Sequence, residues 1–284
     1  MDFCAGLSDK GTSANLWTLA GAVVDARRMD LPVMVMMGGH VIKTGCSPVI
    51  ISLMEAGMIT SVSMNGAASI HDFEIAMIGA TSEDVGENVR EGKFGMWEET
   101  GQLWNKAIAP DILDSQNQGI GYHLGRYMTG HKEQFPCIEY SIIHSAYWPG
   151  IPVTIHVAIG TDVVHQHPEA NGAIIGQGAM ADFYNFVDLV CKLKKGAVVL
   201  NFGSAVIMPE CFLKAVAMAR NMGYPVENFI AGNFDMIDHY RPRENILNRA
   251  NTGDEGTGYY IAGRHEIMLP LFAHLVLEIK EDYR

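Results

Sequence analysis

The chain has 284 residues, enough for one large α/β domain or two small ones. Its 32 acidic residues outnumber 20 basic ones, giving a net charge of −12; this speaks against a general binder of nucleic acid or anionic membrane surfaces, because phosphates demand a basic face. No apolar run reaches the roughly 18 residues that span a bilayer, the start MDFCAGLSDKGTS lacks the basic and apolar regions of a signal peptide, and the five cysteines include no CxxC pair, so a cytoplasmic protein with reduced thiols is expected.

In chain order, an N-terminal amphipathic helix is expected at about 12–29, with Ser13 or Asn15 near its cap. Leu31–Met37 is an unbroken apolar run, as expected of a parallel strand buried on both faces. Gly38-Gly39-His40 breaks it, Ser47 and Pro48 open an apolar helix, and Gly57 ends that helix. Met58–Met64 reads as the next strand and Asn65-Gly66-Ala67-Ala68-Ser69 as the next turn. Two such turns at strand carboxyl ends make the ligand crevice of an open α/β sheet. Thr81–Asp84 reads as a helix start, and residues 86–135, polar and broken by glycines, as helices that cover the sheet or build a subunit contact. Cys137–Trp148 reads as helical and Ile151–Ala158 as a strand followed by the loop Gly160-Thr161-Asp162. After a small-residue stretch, Asn171–Ala181, a helix is expected over Asp182–Leu193. Ala197–Phe202 is a strand ending in Gly203-Ser204, Pro209–Met222 a helix, Asn228–Phe234 a strand, and Asp235–Arg249 a polar segment carrying arginines. Gly258–Ala262 and His265–Lys280 are the last strand and helix. Alternating strands and helices imply a doubly wound, mostly parallel Rossmann-like sheet, here as a single α/β domain over 1–284.

The strand-end loops supply the candidate residues. Asn65, Gly66 and Ala67 either hold a cofactor phosphate or ribose or form a bare strand-to-helix turn, and the same choice applies to Gly39, Thr44 and Gly45. Lys43 is either an anion contact or a solvated charge. Asp72 either serves a cofactor or caps its own helix. His71 is a candidate acid or base, with Glu74 one turn away as its support. His165 and His167, at i and i+2 on an extended segment, could share a metal ion; a hydrogen-bonding or substrate-contacting role is the alternative. His239, Arg241 and Arg243 follow a strand directly. The arginines either clamp a carboxylate or phosphate or pair with this acidic chain's own carboxylates. Arg264 and His265 begin the last helix and could join the same crevice. Cys46 sits near a helix start, where a thiolate is favoured.

At Gly39-His40-Val41-Ile42-Lys43-Thr44-Gly45 and at Asn65-Gly66-Ala67-Ala68-Ser69-Ile70-His71-Asp72 the sequence resembles the deoxyhypusine synthase family, whose two turns read like SNLISSG and like TTAGG followed by acids. The resemblance continues in order through Ile151-Pro152-Val153, Thr161-Asp162, Gly203-Ser204 and Ile267-Met268-Leu269-Pro270-Leu271, from about residue 30 onward. It implies a Rossmann-like NAD-binding fold, a homotetramer, and cofactor contacts from Gly39, Thr44, Gly45, Asn65, Gly66, Ala67, Asp72, Thr161, Asp162, Gly203 and Ser204. The family forms an imine on a late lysine, but here no lysine lies between Lys214 and Lys280, and Arg241–Arg249 occupies that region. Arginine stays protonated and cannot replace a nucleophilic amine. The expectation is therefore a paralogue that binds NAD and acts on a small molecule by oxidation or group transfer, with His71, His165, His167 or His239 handling protons. The rivals are a metal-dependent hydrolase built on His165 and His167 and a non-catalytic nucleotide-binding oligomer.

Overall fold

The computed structural model describes residues 10–83, 85–109, 112–113 and 117–282. Two compact units emerge: Met1–Val62 with Val187–Arg284, and Ser63–Phe186. Asp84, part of the expected helix start, lies outside the described residues.

The first unit opens with α1 (Lys10–Arg28), β1 (Val33–Met37), the short α2 (Gly39–Lys43), α3 (Ser47–Glu55) and the start of β2 (Ser61–Asn65). It resumes with β4 (Val198–Phe202), α10 (Ile207–Asn221), β5 (Ile230–Asp235), the single turn α11 (Tyr240–Pro242), β6 (Thr257–Ala262) and α12 (His265–Asp282). The second unit holds the end of β2, α4 (Gly66–Ile78), α5 (Val85–Glu91), α6 (Glu98–Ile108), α7 (Ile120–Gly130), α8 (Ile142–Tyr147), β3 (Val153–His156) and most of α9 (Gly172–Val190).

Strands β1, β4, β5 and β6 are parallel, with Met37 opposite Phe202, Phe202 opposite Phe234 and Asp235 opposite Ala262. β2 begins beside β1, where Thr60 N–H donates to the Val33 carbonyl at 2.9 Å, and ends beside β3, where the Thr154 hydroxyl donates to Ser63 Oγ at 2.8 Å. The order along the sheet is β3-β2-β1-β4-β5-β6, the doubly wound Rossmann arrangement, whose strand order reverses between β1 and β4. Every residue of β1 and of β4 is buried, as their uninterrupted apolar runs require of strands covered on both faces. Phe202, Phe234 and Phe272 stack edge to face over one face of the first unit, with ring centroids 5.0–6.5 Å apart.

Several expectations are corrected. Residues 39–43 form a short helix rather than an open turn. Helix α1 is already helical at Lys10, so Ser13 and Asn15 lie inside it. The segment expected as one helix over Cys137–Trp148 divides into a 3₁₀ turn, Ile138–Tyr140, and α8, because the Ser141 hydroxyl caps α8 by accepting from His144 N–H. The small-residue stretch after Asn171 is the first half of α9, capped by Asn171 Oδ1 accepting from Ala173 N–H at 3.0 Å. The polar segment after β5 contains α11 and a π-helical turn, Arg243–Asn248.

Candidate functional site

In the first unit, the reversal point is made by the loops that leave β1 and β4. Gly38 N–H donates to the Phe202 carbonyl, and Gly203 N–H to the Phe234 carbonyl, both at 3.0 Å, so each loop is pinned to the next strand. A Cβ on Gly38 would fall 2.5 Å from the Gly203 carbonyl oxygen. Gly203 has φ +64°, the left-handed region that favours glycine, and a Cβ there would meet the His265 ring at 2.7 Å. Ser204 is buried and its hydroxyl accepts from Met208 N–H, in the first turn of α10, at 3.2 Å. Beneath it, Asn201 Nδ2 donates to the Ser204 carbonyl at 3.0 Å and to Asn233 Oδ1 at 2.7 Å. His265 is buried, with Nε2 3.2 Å from the Phe234 carbonyl and Nδ1 without a hydrogen-bond partner. Burial holds this imidazole below its ordinary pKa. His40 meets it edge-on at 5.5 Å between centroids. Gly39 opens α2, Thr44 turns its hydroxyl back onto the His40 carbonyl at 3.0 Å, and Gly45 leaves the helix with φ +76°. Lys43 is exposed. Cys46 is buried, and burial raises its thiol pKa, so it is not the activated thiolate that its place near a helix start suggested.

The expected arginine clamp is engaged by the chain's own acids. Arg241 pairs with Glu210 at 3.3 Å, Arg243 with Asp238 at 2.8 Å, and Arg264 with Glu266 at 2.6 Å. His239 stands half-buried at the start of α11.

In the second unit, Asn65 ends β2 and caps α4, its Oδ1 accepting from Ala68 N–H at 2.9 Å. Gly66 is buried beneath Asp162: a Cβ there would lie 2.1 Å from Asp162 Oδ2. The carboxylate that also accepts from Ala158 N–H at 2.9 Å thus occupies the amino end of α4. A phosphate expected at Asn65, Gly66 and Ala67 would meet this charge, whereas ribose hydroxyls could donate to it. Burial raises the Asp162 pKa. Thr161 is exposed and donates to the Ala158 carbonyl at 2.8 Å.

Asp72 does not face a ligand. It is fully buried and accepts from the Ser141 hydroxyl at 2.5 Å and from Ile142 and Ile143 N–H at 2.7 and 3.2 Å, so it holds the amino end of α8; burial pushes its pKa up to about 6. His71 Nδ1 lies 3.1 Å from Glu74 Oε2, and the other Glu74 oxygen accepts from the Ser82 and Thr100 hydroxyls. Ser82 and Thr100 were invisible in the sequence as partners, because they come from a loop and from α6, 8 and 26 residues away.

His165 and His167 do not converge on a metal. His167 accepts from Glu169 N–H through Nδ1 at 3.1 Å, and its ring packs where a Gly101 Cβ would sit. His165 is half-buried, and neither of its ring nitrogens has a hydrogen-bond partner. Among the described residues, no group of three or more His, Cys, Asp or Glu side chains could hold a metal ion. No described helix is long and apolar enough to cross a membrane.

No family model and no curated protein matches the sequence. Solved structures do match the fold. A protein described as a deoxyhypusine synthase from Entamoeba histolytica superposes with a TM-score of 0.55 at 10% identity, over 99% of this chain and 96% of that one. The fold is deoxyhypusine synthase-like. An LOR/SDH protein from Methanococcus maripaludis S2 gives 0.59 at 14% identity, over 96% of this chain and 71% of that one. AgrE, solved as a ternary complex with ornithine and NAD+, gives 0.61 at 12% identity over 96% of this chain; the match spans 34% of the AgrE chain. At these identities the likeness is one of fold.

Proposed function

We propose that this chain is an NAD-binding enzyme that acts on a small molecule by oxidation or group transfer and does not make deoxyhypusine. The observation that carries the reading is the glycine pair Gly38 and Gly203 at the β1/β4 reversal of a Rossmann-order sheet, where dinucleotides lie across the strand ends. The residues present fit such a group. In the first unit, Gly39 carries no side chain where α2 begins, and the buried His265 Nδ1 is left without a hydrogen-bond partner. Bound nicotinamide would supply a hydride acceptor or donor; the chain's own residues bind, orient and move protons. The absence of any lysine between Lys214 and Lys280 removes the family's imine chemistry. The complex of AgrE with ornithine and NAD+ supports the same ligand classes for this fold. Assembly as a homotetramer in the cytoplasm belongs to the same reading.

Calorimetric titration of nucleotide-stripped protein with NAD and NADH tests it. Saturable binding is expected, and no binding of either form would overturn the cofactor assignment. Binding without turnover across hydroxy-acid, amino-acid and polyamine substrates would favour the non-catalytic rival.

A further inference from the structure

We propose that His71, held by Glu74, is a general base whose Nε2 takes a proton from a hydroxyl or amine of the substrate. This inference rests on the enzymatic reading above. Both residues lie one turn apart on α4, which begins where β2 ends. The pair is graded in exposure: the Glu74 side chain is 4% exposed and that of His71 22%. The carboxylate is therefore sealed in while the imidazole edge reaches solvent. One Glu74 oxygen takes the His71 Nδ1 bond at 3.1 Å, and the other takes the Ser82 and Thr100 hydroxyls. Glu83, on the same loop as Ser82, lines the small cavity beside them and is itself bonded to Gly95 N–H at 2.8 and 3.0 Å.

The protonation pattern follows from these bonds. Burial pushes the Glu74 pKa up, but the bonds from His71 and Ser82 outweigh it and hold the carboxyl below its ordinary value. An ionised carboxylate only accepts, so His71 Nδ1 carries the hydrogen and Nε2 keeps its lone pair. When a substrate O–H or N–H bond breaks and Nε2–H forms, the new imidazolium stands against a carboxylate already in place. Glu74 is then a positioning residue: it fixes the tautomer and ring direction and compensates the charge, the logic of carboxylate-oriented histidines elsewhere. Two other histidine–carboxylate pairs among the described residues lack this arrangement. His167 meets Glu98, whose side chain is 70% exposed, at 3.4 Å, and His274 meets Glu278 at 3.8 Å with both side chains largely in water.

Nitrogen-15 histidine spectra of the full chain, with ethoxyformylation rates at pH 8, test the proposal. The expected spectrum shows His71 as the Nδ1–H tautomer. His71 is expected to react several-fold faster than His274, and Glu74→Gln to bring it down to the His274 rate. Should Glu74→Gln fail to fold, Ser82→Ala loosens one donor to the carboxylate and is expected to slow His71 partway. An Nε2–H tautomer, or a His71 rate no higher than that of His274, would overturn the dyad. With a substrate in hand, His71→Asn is expected to cut turnover by about 10²–10⁴-fold while leaving NAD affinity intact; unchanged turnover would overturn the base assignment. The spectral and modification readouts use no nucleotide, so failure of NAD binding and failure of the dyad are separate results.

Discussion

Replacing Gly38 by alanine is the sharpest test of the strand-reversal geometry. Gly38 has φ −105° and ψ 169°, a conformation open to any residue, so backbone freedom does not require glycine here. Space does. The added Cβ would lie 2.5 Å from the Gly203 oxygen, 3.1 Å from its carbonyl carbon and 3.3 Å from Ser204 Cα. All three are backbone atoms of a loop tied down by the Gly203–Phe234 and Asn201–Ser204 bonds, so no side chain can swing away. Ordinary contact begins near 3.4 Å, and the deficit of about 0.9 Å must be met by parting the β1 and β4 loops. Overpacking of this kind costs about 1–3 kcal/mol, or roughly 2–10 °C in Tm for a chain of this size. The same parting would move the backbone groups expected to face the dinucleotide, so NAD affinity is expected to fall at least tenfold, about 1.4 kcal/mol. Gly176→Ala is the control, since a Cβ there meets nothing within 4 Å inside α9 and alanine in a helix is worth about 0.5–1 kcal/mol over glycine. Thermal denaturation and NAD titration of both variants give the comparison. A Gly38→Ala protein with unchanged Tm and affinity would refute the close approach of the two loops.

Other consequences concern the second unit and the arginines. Asp182 accepts from Gly121 and Ile155 N–H, and burial pushes its pKa up to about 7. Between about pH 4 and 7 the folded chain therefore keeps a proton that the unfolded chain has released. The stability of wild type relative to Asp182→Asn should fall as pH rises through that window; denaturant titrations at several pH values check this, and a rising difference would contradict it. Asp72→Ala removes the acceptor for Ser141, Ile142 and Ile143, so the Ile142 and Ile143 amides should exchange hydrogen much faster, at a cost of about 1–3 kcal/mol per stranded donor; unchanged protection of both amides would contradict this role. Arg243→Ala breaks a half-exposed ion pair with Asp238, so stability should change by no more than about 1 kcal/mol. A larger loss in chemical denaturation would mean that the pair is structural.

The strands were legible because buried parallel strands write themselves as apolar runs. Leu31–Met37 and Ala197–Phe202 shortened by only one or two residues at their starts. Gly57 and Gly203, read as ending a helix and a strand, both have positive φ. Helix α9 was half hidden because its first turns are built of Gly172, Ala173, Gly176 and Gly178, which carry little helical signal; Asn171 as a cap was the available sign. Asp72 was misassigned because its partners lie about 70 residues away. A helix-terminus acid reads the same whether it caps its own helix, a remote one, or holds a ligand. For the arginines the sequence leaves two readings open, and in a chain with 32 acids the carboxylates of Glu210, Asp238 and Glu266 are partners close at hand.

The proposed function requires that this deoxyhypusine synthase-like scaffold hold a nicotinamide dinucleotide. Native mass spectrometry of gently purified protein, followed by denaturation and identification of what is released, tests it most directly. NAD is expected, one per chain of an oligomer. Release of a metal ion and no nucleotide, together with failure of the stripped protein to take up added NAD or NADH, would contradict it.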